Sequence, residues 1–268
     1  MQQLVQRVVY GLLYVLLVFG SIQFDYSFAA LVAVLGVILI YEYTIITKIK
    51  FYAPLLYFVF ALLILVFLYY LRDSSASPIL LLVVSSAAIL SQLFLLLKFF
   101  QGKDFTHPNT QGFFYIGHGL LSLLCLAVIQ GIFDADLLLY FFIVIWLCDS
   151  GAYAVGNLIR GKKLMPSVSP NKTISGFAGG VILAGIFGWI ASSYLPVFNS
   201  FQSIIFSTLI AVIAAVGDLI ESKYKRSSGV KDSGKILPGH GGVYDRLDGV
   251  IFAAPWAVII FKIVNDVS

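Results

Sequence analysis

The stretch VVYGLLYVLLVFGSI, residues 8–22, is the first of several long apolar runs that recur along the whole chain. The run is too long for a removable signal peptide and lacks the small-residue cleavage pattern, so we interpret it as a permanent membrane span. Of the 268 residues, 60% are hydrophobic and only 11% are charged, with a mean hydropathy of +0.98. A soluble core of this length could not bury so much apolar surface. The sequence therefore predicts an all-α, polytopic integral membrane protein.

The apolar runs predict nine transmembrane helices when each span is counted at about 20 residues. Their approximate centres are Tyr14, Val37, Leu62, Ala88, Leu123, Phe142, Leu183, Leu209 and Pro255. A turn-rich connector, KDFTHPNTQG at residues 103–112, separates a plain N-terminal part from a more polar C-terminal part. We therefore predict an N-terminal transmembrane bundle over 1–110 and a C-terminal transmembrane domain, which carries the polar site, over 111–268.

Positive charge is distributed unequally between the two sides of the predicted bundle. Of the 17 Lys and Arg residues, all but Arg72 and Lys262 fall at the N-terminus or in the even-numbered loops. Because cytoplasmic loops are enriched in Lys and Arg, we expect the N-terminus and these loops in the cytoplasm and the C-terminus outside. The net charge of +4 suits anionic lipid headgroups, and the sequence offers no soluble basic domain for nucleic-acid binding.

Isolated polar residues and the two cysteines have simple structural explanations. Glu42, near the cytoplasmic end of the second span, is expected either to snorkel to the interface or to take a hydrogen bond inside the bundle. His118, in the fifth span, is expected to be a core histidine. Cys125 and Cys148 lie in apolar segments without metal-type spacing, so we expect both to be small buried core residues.

From Trp146 onward, charge collects into three clusters at predicted cytoplasmic helix ends. In GDLIESKYKR, residues 217–226, polar side chains follow i, i+3, i+4, i+7 spacing on one helix face: Asp218, Glu221, Ser222 and Lys225. A carboxylate inside the membrane boundary must be paired, protonated or bound to a cation. This cluster alone predicts an Asp–Lys ion pair as readily as a metal site.

A second cluster, GKILPGHGGVYDRLDG at residues 234–249, favours the metal site. Asp245 and Asp248 lie three residues apart at the start of the ninth span, and Asp218 could approach them from the end of the eighth. Three clustered carboxylates repel one another unless divalent cations neutralise them, and oxygen ligands suit Mg²⁺. We therefore predict Asp218, Asp245 and Asp248 as metal ligands.

The surroundings of these carboxylates suit a polyphosphate. The PGHGG turn, which contains His240, offers backbone N–H groups and flexible glycines. Donors for anionic oxygens are supplied nearby by Lys225, Arg226, Lys231 and Lys235. The third cluster starts at CDSGAY, which holds Asp149, and ends in SPNKTISG, residues 169–176. In SPNKTISG, three polar residues precede a helix, as either a helix cap or an anion site: Ser169, Asn171 and Lys172.

The run SKYKRSSGVKDSGKILPGHGGVYDRLD, residues 222–248, resembles the signature of the phosphatidate cytidylyltransferases, also called CDP-diacylglycerol synthases. The fixed positions of that signature are all present: Ser222, Lys225, Arg226, Lys231, Asp232, His240, Gly241, Gly242, Asp245, Arg246 and Asp248. Tyr224 is the one departure, since an aliphatic residue or Phe is expected there. The upstream stretches CDSGAY, SPNKTISG and GDLIES are also similar to those of the family.

The resemblance implies a membrane enzyme that joins CTP and phosphatidic acid into CDP-diacylglycerol and pyrophosphate with Mg²⁺, and it leaves open a second cation. It also implies a homodimer. Together with the compact length, it leads us to expect a bacterial inner-membrane protein, surrounded by membrane lipids, with its active site on the cytoplasmic side.

On this interpretation the catalytic residues are Asp218, Asp245 and Lys225. The expected substrate-binding residues are Asp149, Ser169, Asn171, Lys172, Ser222, Arg226, Lys231, His240 and Arg246, with His240 near the leaving pyrophosphate. Transfers of this kind need charge neutralisation and alignment more than covalent catalysis.

Two other functions fit parts of the sequence. A secondary transporter would use intramembrane carboxylates, but here the charges collect at one face and form no path across the membrane. A CTP-dependent lipid kinase would need the same metal and nucleotide contacts, and a different phosphorus of CTP would be attacked. A structural scaffold has no use for so many buried charges.

Overall fold

The computed structural model describes residues 2–47, 59–60, 77–101, 108–129, 135–194, 198–237, 239 and 241–266. Its long helices are α1 (Gln2–Ile22), α2 (Asp25–Thr47), α3 (Ser77–Phe100), α4 (Pro108–Val128), α5 (Ala135–Ile159), α6 (Ile174–Ala191), α7 (Ser200–Ser227) and α8 (Asp248–Asp266). An antiparallel hairpin lies between α5 and α6 and consists of β1 (Lys163–Met165) and β2 (Ser169–Thr173). A short 3-10 helix, Tyr244–Arg246, precedes α8.

The helices agree with the predicted spans. Each helix contains one of the predicted centres, and the remaining centre, Leu62, lies outside the described residues. In the described part of the chain, five helical segments are long and apolar enough to cross a membrane: Ser27–Thr47, Leu81–Phe100, Ala135–Ile159, Ile174–Ala191 and Ser200–Ser227. The all-α integral membrane class is therefore confirmed, and the small hairpin is an addition to it. The division of the chain near residue 110 stays a prediction.

α6 packs between α5 and α7 through a face of small residues. The buried residues of this face recur every four positions: Gly176, Gly180, Ala184 and Gly188. A Cβ at Gly180 would lie 2.5 Å from the carbonyl oxygen of Cys148, and one at Gly188 would lie 2.6 Å from that of Ser203. The glycines therefore let the neighbouring backbones approach closely, as small residues do between helices in lipid.

A buried glutamine compensates for a proline inside α8. Pro255 has no N–H, so the carbonyl of Ile251, four residues earlier, lacks its helical donor. The side-chain nitrogen of Gln92 in α3 lies 3.5 Å from that carbonyl oxygen, and its side-chain oxygen accepts a 2.7 Å hydrogen bond from the Trp256 indole. Because lipid offers no water to backbone groups, these contacts stabilise the proline-containing helix and tie α3 to α8.

Other polar groups of the core have partners or apolar surroundings. The hydroxyl of Tyr140 in α5 contacts the hydroxyl oxygens of Ser203 and Ser207 in α7 at 2.8 and 2.6 Å. His118 is 2% exposed and packs near the ring of Phe252, in agreement with the predicted core histidine. Both cysteines, Cys125 and Cys148, are buried free thiols, as predicted.

α7 carries much of the charged cluster described below. A capping box between Asn199 and Gln202 fixes the start of the helix. Its 28 residues measure about 42 Å at 1.5 Å per residue, which exceeds the ~30 Å hydrocarbon core of a bilayer. The excess length lets the last turns, which contain Asp218 and Lys225, lie at the membrane boundary.

Candidate active site

A cavity of about 790 Å³ lies between the C-terminal halves of α5 and α7, the hairpin, the start of α6 and the segment that leads into α8. The predicted site residues that line it are Asp149, Asn171, Lys172, Asp218, Ser222, Lys225, Arg226, Lys231, Asp245, Arg246 and Asp248. Ser169, at the start of β2, is not among its lining residues, and His240 lies outside the described part of the chain. The three charge clusters of the sequence therefore meet in one place.

Three carboxylates lie close together where α7 meets the start of α8. Asp218, Glu221 and Asp248 each place one oxygen within 4.8 Å of the others, and we call this group the acidic cluster. Glu221 is 1% exposed, and neither of its oxygens accepts a well-directed hydrogen bond from the described residues. Asp218 and Asp248 are half-buried, and a buried carboxylate such as Glu221 beside two others is costly without a counter-charge. Their oxygen ligands and spacing fit a divalent cation.

Lys225 lies between the acidic cluster and Asp245. Its ammonium nitrogen is 2.6 Å from Oε2 of Glu221 and 2.5 Å from Oδ1 of Asp245, and its side chain is 10% exposed. The positive charge of Lys225 therefore reduces the repulsion within the acidic cluster. It also ties the end of α7 to the segment before α8.

Asp245, predicted as a metal ligand, makes a different set of contacts. Its Oδ2 accepts hydrogen bonds from the backbone N–H groups of Ser233 at 2.8 Å and Gly242 at 2.7 Å. Gly241 has a φ of 88°, a conformation that favours glycine, and a Cβ there would lie 2.5 Å from the same oxygen. Gly241 and Gly242, from the turn that was predicted to wrap a polyphosphate, thus pack against the Asp245 carboxylate. The acidic cluster thus contains Glu221 beside Asp218 and Asp248, and Asp245 is not part of it.

The hairpin brings Lys172 against Asp218. At the end of β2, the hydroxyl of Thr173 caps α6 by accepting a 3.0 Å hydrogen bond from the N–H of Gly176. The preceding residue, Lys172, forms an ion pair with Asp218. Ser222 donates its hydroxyl to the other oxygen of Asp218 at 3.3 Å. The SPNKTISG stretch therefore both caps a helix and supplies a charged side chain to the cavity.

Positive side chains share the cavity with Asp218 and Asp248, whereas the buried Glu221 is not among the lining residues. Besides Lys172 and Lys225, the cavity is lined by Arg160, Lys163, Arg226, Lys231 and Arg246. Ammonium and guanidinium groups form strong, charge-assisted hydrogen bonds with phosphate oxygens. Carboxylates and cations that line one cavity can together hold a cation-bound polyphosphate.

Several lining residues were not among the predicted site residues: Tyr153, Asn157, Arg160 and Lys163. A signal for the first three was present in the sequence. Together with Asp149 they follow i, i+4, i+8, i+11 spacing, which places side chains along one helix face. Arg160, the residue after the end of α5, has a φ of 49°, which is uncommon outside glycine.

Of the two alternatives predicted for Glu42, the structure shows the hydrogen bond inside the bundle. Its side chain is fully buried, so it does not snorkel, and its carboxylate accepts hydrogen bonds from the segment before α8.

Fold and site together define an α-helical membrane protein with a charged cavity formed at the ends of its helices. The sequence profile of the cytidylyltransferase family matches residues 5–264, and the chain belongs to this family.

Curated relatives carry the name phosphatidate cytidylyltransferase. The protein from Staphylococcus haemolyticus (strain JCSC1435) is 44% identical over 119 residues, that from Bacillus subtilis (strain 168) 43% over 128, and that from Staphylococcus aureus (strain COL) 45% over 120. The alignments cover 44%, 46% and 44% of this chain, respectively, and 46% of each relative. The matched part of the chain thus spans just under half the length of these bacterial proteins.

Proposed function

We propose that this protein transfers the cytidylyl group of CTP to phosphatidic acid, giving CDP-diacylglycerol and pyrophosphate. The observation that carries the proposal is a cavity at the ends of apolar helices that is lined both by Lys and Arg side chains and by Asp218 and Asp248 of the acidic cluster. Family membership and the name shared by the three bacterial relatives support the same reaction. A cavity at the ends of membrane helices suits a reaction between a lipid phosphate and a water-soluble nucleotide.

The acidic cluster is the proposed Mg²⁺ site. We assign Asp218, Glu221 and Asp248 as its ligands, because their oxygens converge and Oε1 of Glu221 has neither a hydrogen bond nor an ion pair within the described chain. When bound, Mg²⁺ would neutralise charge on the phosphate oxygens. Asp245, expected from the sequence to be a ligand, is assigned instead to hold Lys225 and the glycine turn. A second cation stays a prediction.

The cations of the chain bind and align the substrates. We propose that the phosphates are held by Lys172, Lys225, Arg226, Lys231 and Arg246. Asp149, Asn171 and Ser222 complete the proposed pocket, and Ser169 and His240 stay predictions.

In the proposed reaction, a phosphate oxygen of phosphatidic acid attacks the α-phosphorus of CTP. A new oxygen–phosphorus bond forms, the bond from the α-phosphorus to the oxygen of the β-phosphate breaks, and pyrophosphate leaves with the electron pair. No general base is needed, since a phosphate monoester is already anionic near pH 7. The protein therefore contributes alignment and charge neutralisation.

We further propose nine membrane spans, a cytoplasmic N-terminus and a site on the cytoplasmic face of the bacterial inner membrane. The cavity's lysines and arginines all belong to the loops that the positive-inside rule assigns to the cytoplasm. Membrane lipids would then surround the helices, and the acyl chains of the substrate would remain among them. The proposed homodimer rests on the family resemblance.

The test uses the purified full chain in nanodiscs that contain phosphatidic acid, with CTP labelled at either the α- or the γ-phosphate. We expect α-label in the lipid and one pyrophosphate released for each CDP-diacylglycerol formed. Label from the γ-phosphate in the lipid would instead identify a lipid kinase. No lipid label from either CTP would contradict the enzymatic proposal and favour transport. Asp218→Asn, prepared identically, is the matched negative control.

A further inference from the structure

Glu42 is not among the residues that line the cavity, yet it is tied to the segment that forms one wall. Its carboxylate accepts hydrogen bonds from the hydroxyl of Ser233 at 2.9 Å, the N–H of Val243 at 2.8 Å and the N–H of Tyr244 at 2.9 Å. Ser233 is 191 residues away in the sequence. These bonds therefore join α2 to the described residues of 233–244, namely 233–237, 239 and 241–244, which we call the anchored segment.

The charge of Glu42 is compensated by these donors. Within the described part of the chain, no Lys or Arg forms an ion pair with Glu42. A buried carboxylate is costly unless hydrogen bonds replace its hydration, and bonds to an ionised acceptor are stronger than neutral ones. The carboxylate and the anchored segment thus stabilise each other.

Two glycines allow the anchored segment to approach so closely. A Cβ at Gly234 would lie 2.6 Å from Oε1 of Glu42, and one at Gly242 would lie 2.5 Å from the same atom. Beside them, the ring of Tyr244 packs against that of Tyr43, with centroids 4.7 Å apart. The segment is therefore shaped around this carboxylate.

The anchored segment also contacts a second carboxylate. Ser233 donates its hydroxyl to Glu42 and its N–H to Asp245. At the glycine turn, the N–H of Gly242 donates a hydrogen bond to Asp245. The N–H groups of the next two residues, Val243 and Tyr244, donate to Glu42. The segment is held between the two side chains. Asp245 contacts Lys225, which in turn contacts Glu221 of the acidic cluster.

We infer that Glu42 is a positioning residue: it holds the anchored segment so that Asp245 orients Lys225 and Arg246 lines the cavity. Only the kinetic consequence of this inference rests on the proposed function. Glu42 acts through the segment and does not touch the proposed substrates, so its removal loosens the wall of the site and leaves the acidic cluster in place.

The variant Glu42→Gln tests this inference. The substitution keeps the side-chain shape but replaces one acceptor oxygen by an NH₂ group, which cannot accept a bond from a backbone N–H. We expect amide hydrogen exchange at Val243 and Tyr244 to speed up about tenfold, the effect of losing one hydrogen bond to a charged group. We also expect the KM for CTP to rise by about threefold to tenfold, because cations on the loosened wall bind phosphate less well.

A purely structural role would lower the fraction of active protein, and with it the apparent kcat, while leaving KM unchanged. Tyr140→Phe provides the matched control, because it removes buried hydrogen bonds to Ser203 and Ser207 instead. It should reduce thermal stability without changing exchange at Val243 and Tyr244 or the KM for CTP.

Unchanged exchange in Glu42→Gln overturns the inference, and so does faster exchange with an unchanged KM. If Glu42→Gln does not fold, Gly234→Ala replaces it as the test, because its added methyl group displaces the anchored segment from an intact Glu42 carboxylate. The measurements are again amide hydrogen exchange at Val243 and Tyr244 and the KM for CTP. If the wild-type protein makes no CDP-diacylglycerol while Glu42→Gln still speeds exchange, the proposed function fails and the anchoring contact stands.

Discussion

The ammonium group of Lys172 contacts the carboxylate of Asp218, and this ion pair joins the hairpin to α7 across the cavity. The two side chains are 31% and 28% exposed, so ligands can reach both. In the proposed reaction the partners serve different ligands, since Lys172 faces phosphate and Asp218 faces a cation. The pair therefore links the binding of nucleotide to the binding of metal.

Lys172→Met should strengthen cation binding when no nucleotide is present, because Asp218 loses a competing positive charge. The expected change in the Kd for Mn²⁺, used in place of Mg²⁺ and measured by electron paramagnetic resonance, is about twofold to fivefold for a part-exposed pair. The KM for CTP should rise in the same variant. Lys163→Met, also in the hairpin, is the control that leaves Asp218 paired. Weaker Mn²⁺ binding in Lys172→Met would contradict the coupling.

Asp218→Asn and Asp245→Asn should both abolish CDP-diacylglycerol formation, for different reasons. Asp218→Asn removes a proposed cation ligand, whereas Asp245→Asn releases Lys225 and the glycine turn. Amide hydrogen exchange at Ser233 and Gly242 separates the two effects, since only Asp245→Asn should accelerate it. Near-normal turnover in Asp218→Asn, in protein that inserts and folds, would remove the metal assignment.

Glu221→Gln should reduce the stabilisation that Mg²⁺ gives to the folded protein. A cation that binds only the folded state raises its stability by mass action, and a tenfold weaker affinity removes about 1.4 kcal/mol of that gain at saturating ion. The measurement is the difference in Tm with and without Mg²⁺. Asp136→Asn, in the first turn of α5, is the control and should keep the full increase. An unchanged increase in Glu221→Gln would exclude Glu221 as a ligand.

Lys225→Met should destabilise the protein more than Lys172→Met does. Lys225 is 10% exposed and faces two carboxylates, so its removal leaves buried negative charge unpaired, at a cost of about 3–5 kcal/mol. The more exposed Lys172 pair should contribute about 1 kcal/mol or less. Denaturant unfolding in the same detergent measures the free energy of unfolding of both variants. Equal losses of this free energy would show that the burial of the lysine does not determine how much its ion pair stabilises the protein.

Gly180→Ala should destabilise the contact between α5 and α6. Its new methyl carbon would lie 2.5 Å from a backbone oxygen of α5, and overpacking of this kind costs about 1–3 kcal/mol. Gly20→Ala in α1 is the matched control, because a Cβ there meets nothing within 4 Å. A thermal melt of both variants should show a lower Tm for Gly180→Ala alone, and equal Tm values would mean that α5 and α6 adjust without strain.

The membrane helices could be predicted because lipid imposes a simple requirement on the sequence. A span must satisfy its own backbone and present apolar side chains, so length and hydropathy suffice to place centres such as Phe142 and Leu209. The hairpin was not predicted because its strands, of three and five residues, are too short to show a periodic pattern.

The site was predicted at the level of its charge clusters, but not of individual partners. Asp218 and Glu221 were placed on one helix face by their spacing, which does not decide between an ion pair and a metal site. The contacts of Asp245 involve backbone N–H groups of a turn, and no side-chain pattern reveals them. Glu42 was harder still to predict, since its partners lie 191 to 202 residues away and are brought to it only by tertiary packing.

The separation between Glu42 and Ser233 also sets an order of events during biosynthesis. At about 5–20 residues per second, a ribosome needs roughly 10–40 s to synthesise the 191 residues between them. Throughout that interval α2 carries a carboxylate whose final donors have not yet been made. The polar contacts of Glu42 therefore form only after the last part of the chain has been made, and a chain that stalls before residue 233 keeps a carboxylate that lacks these donors.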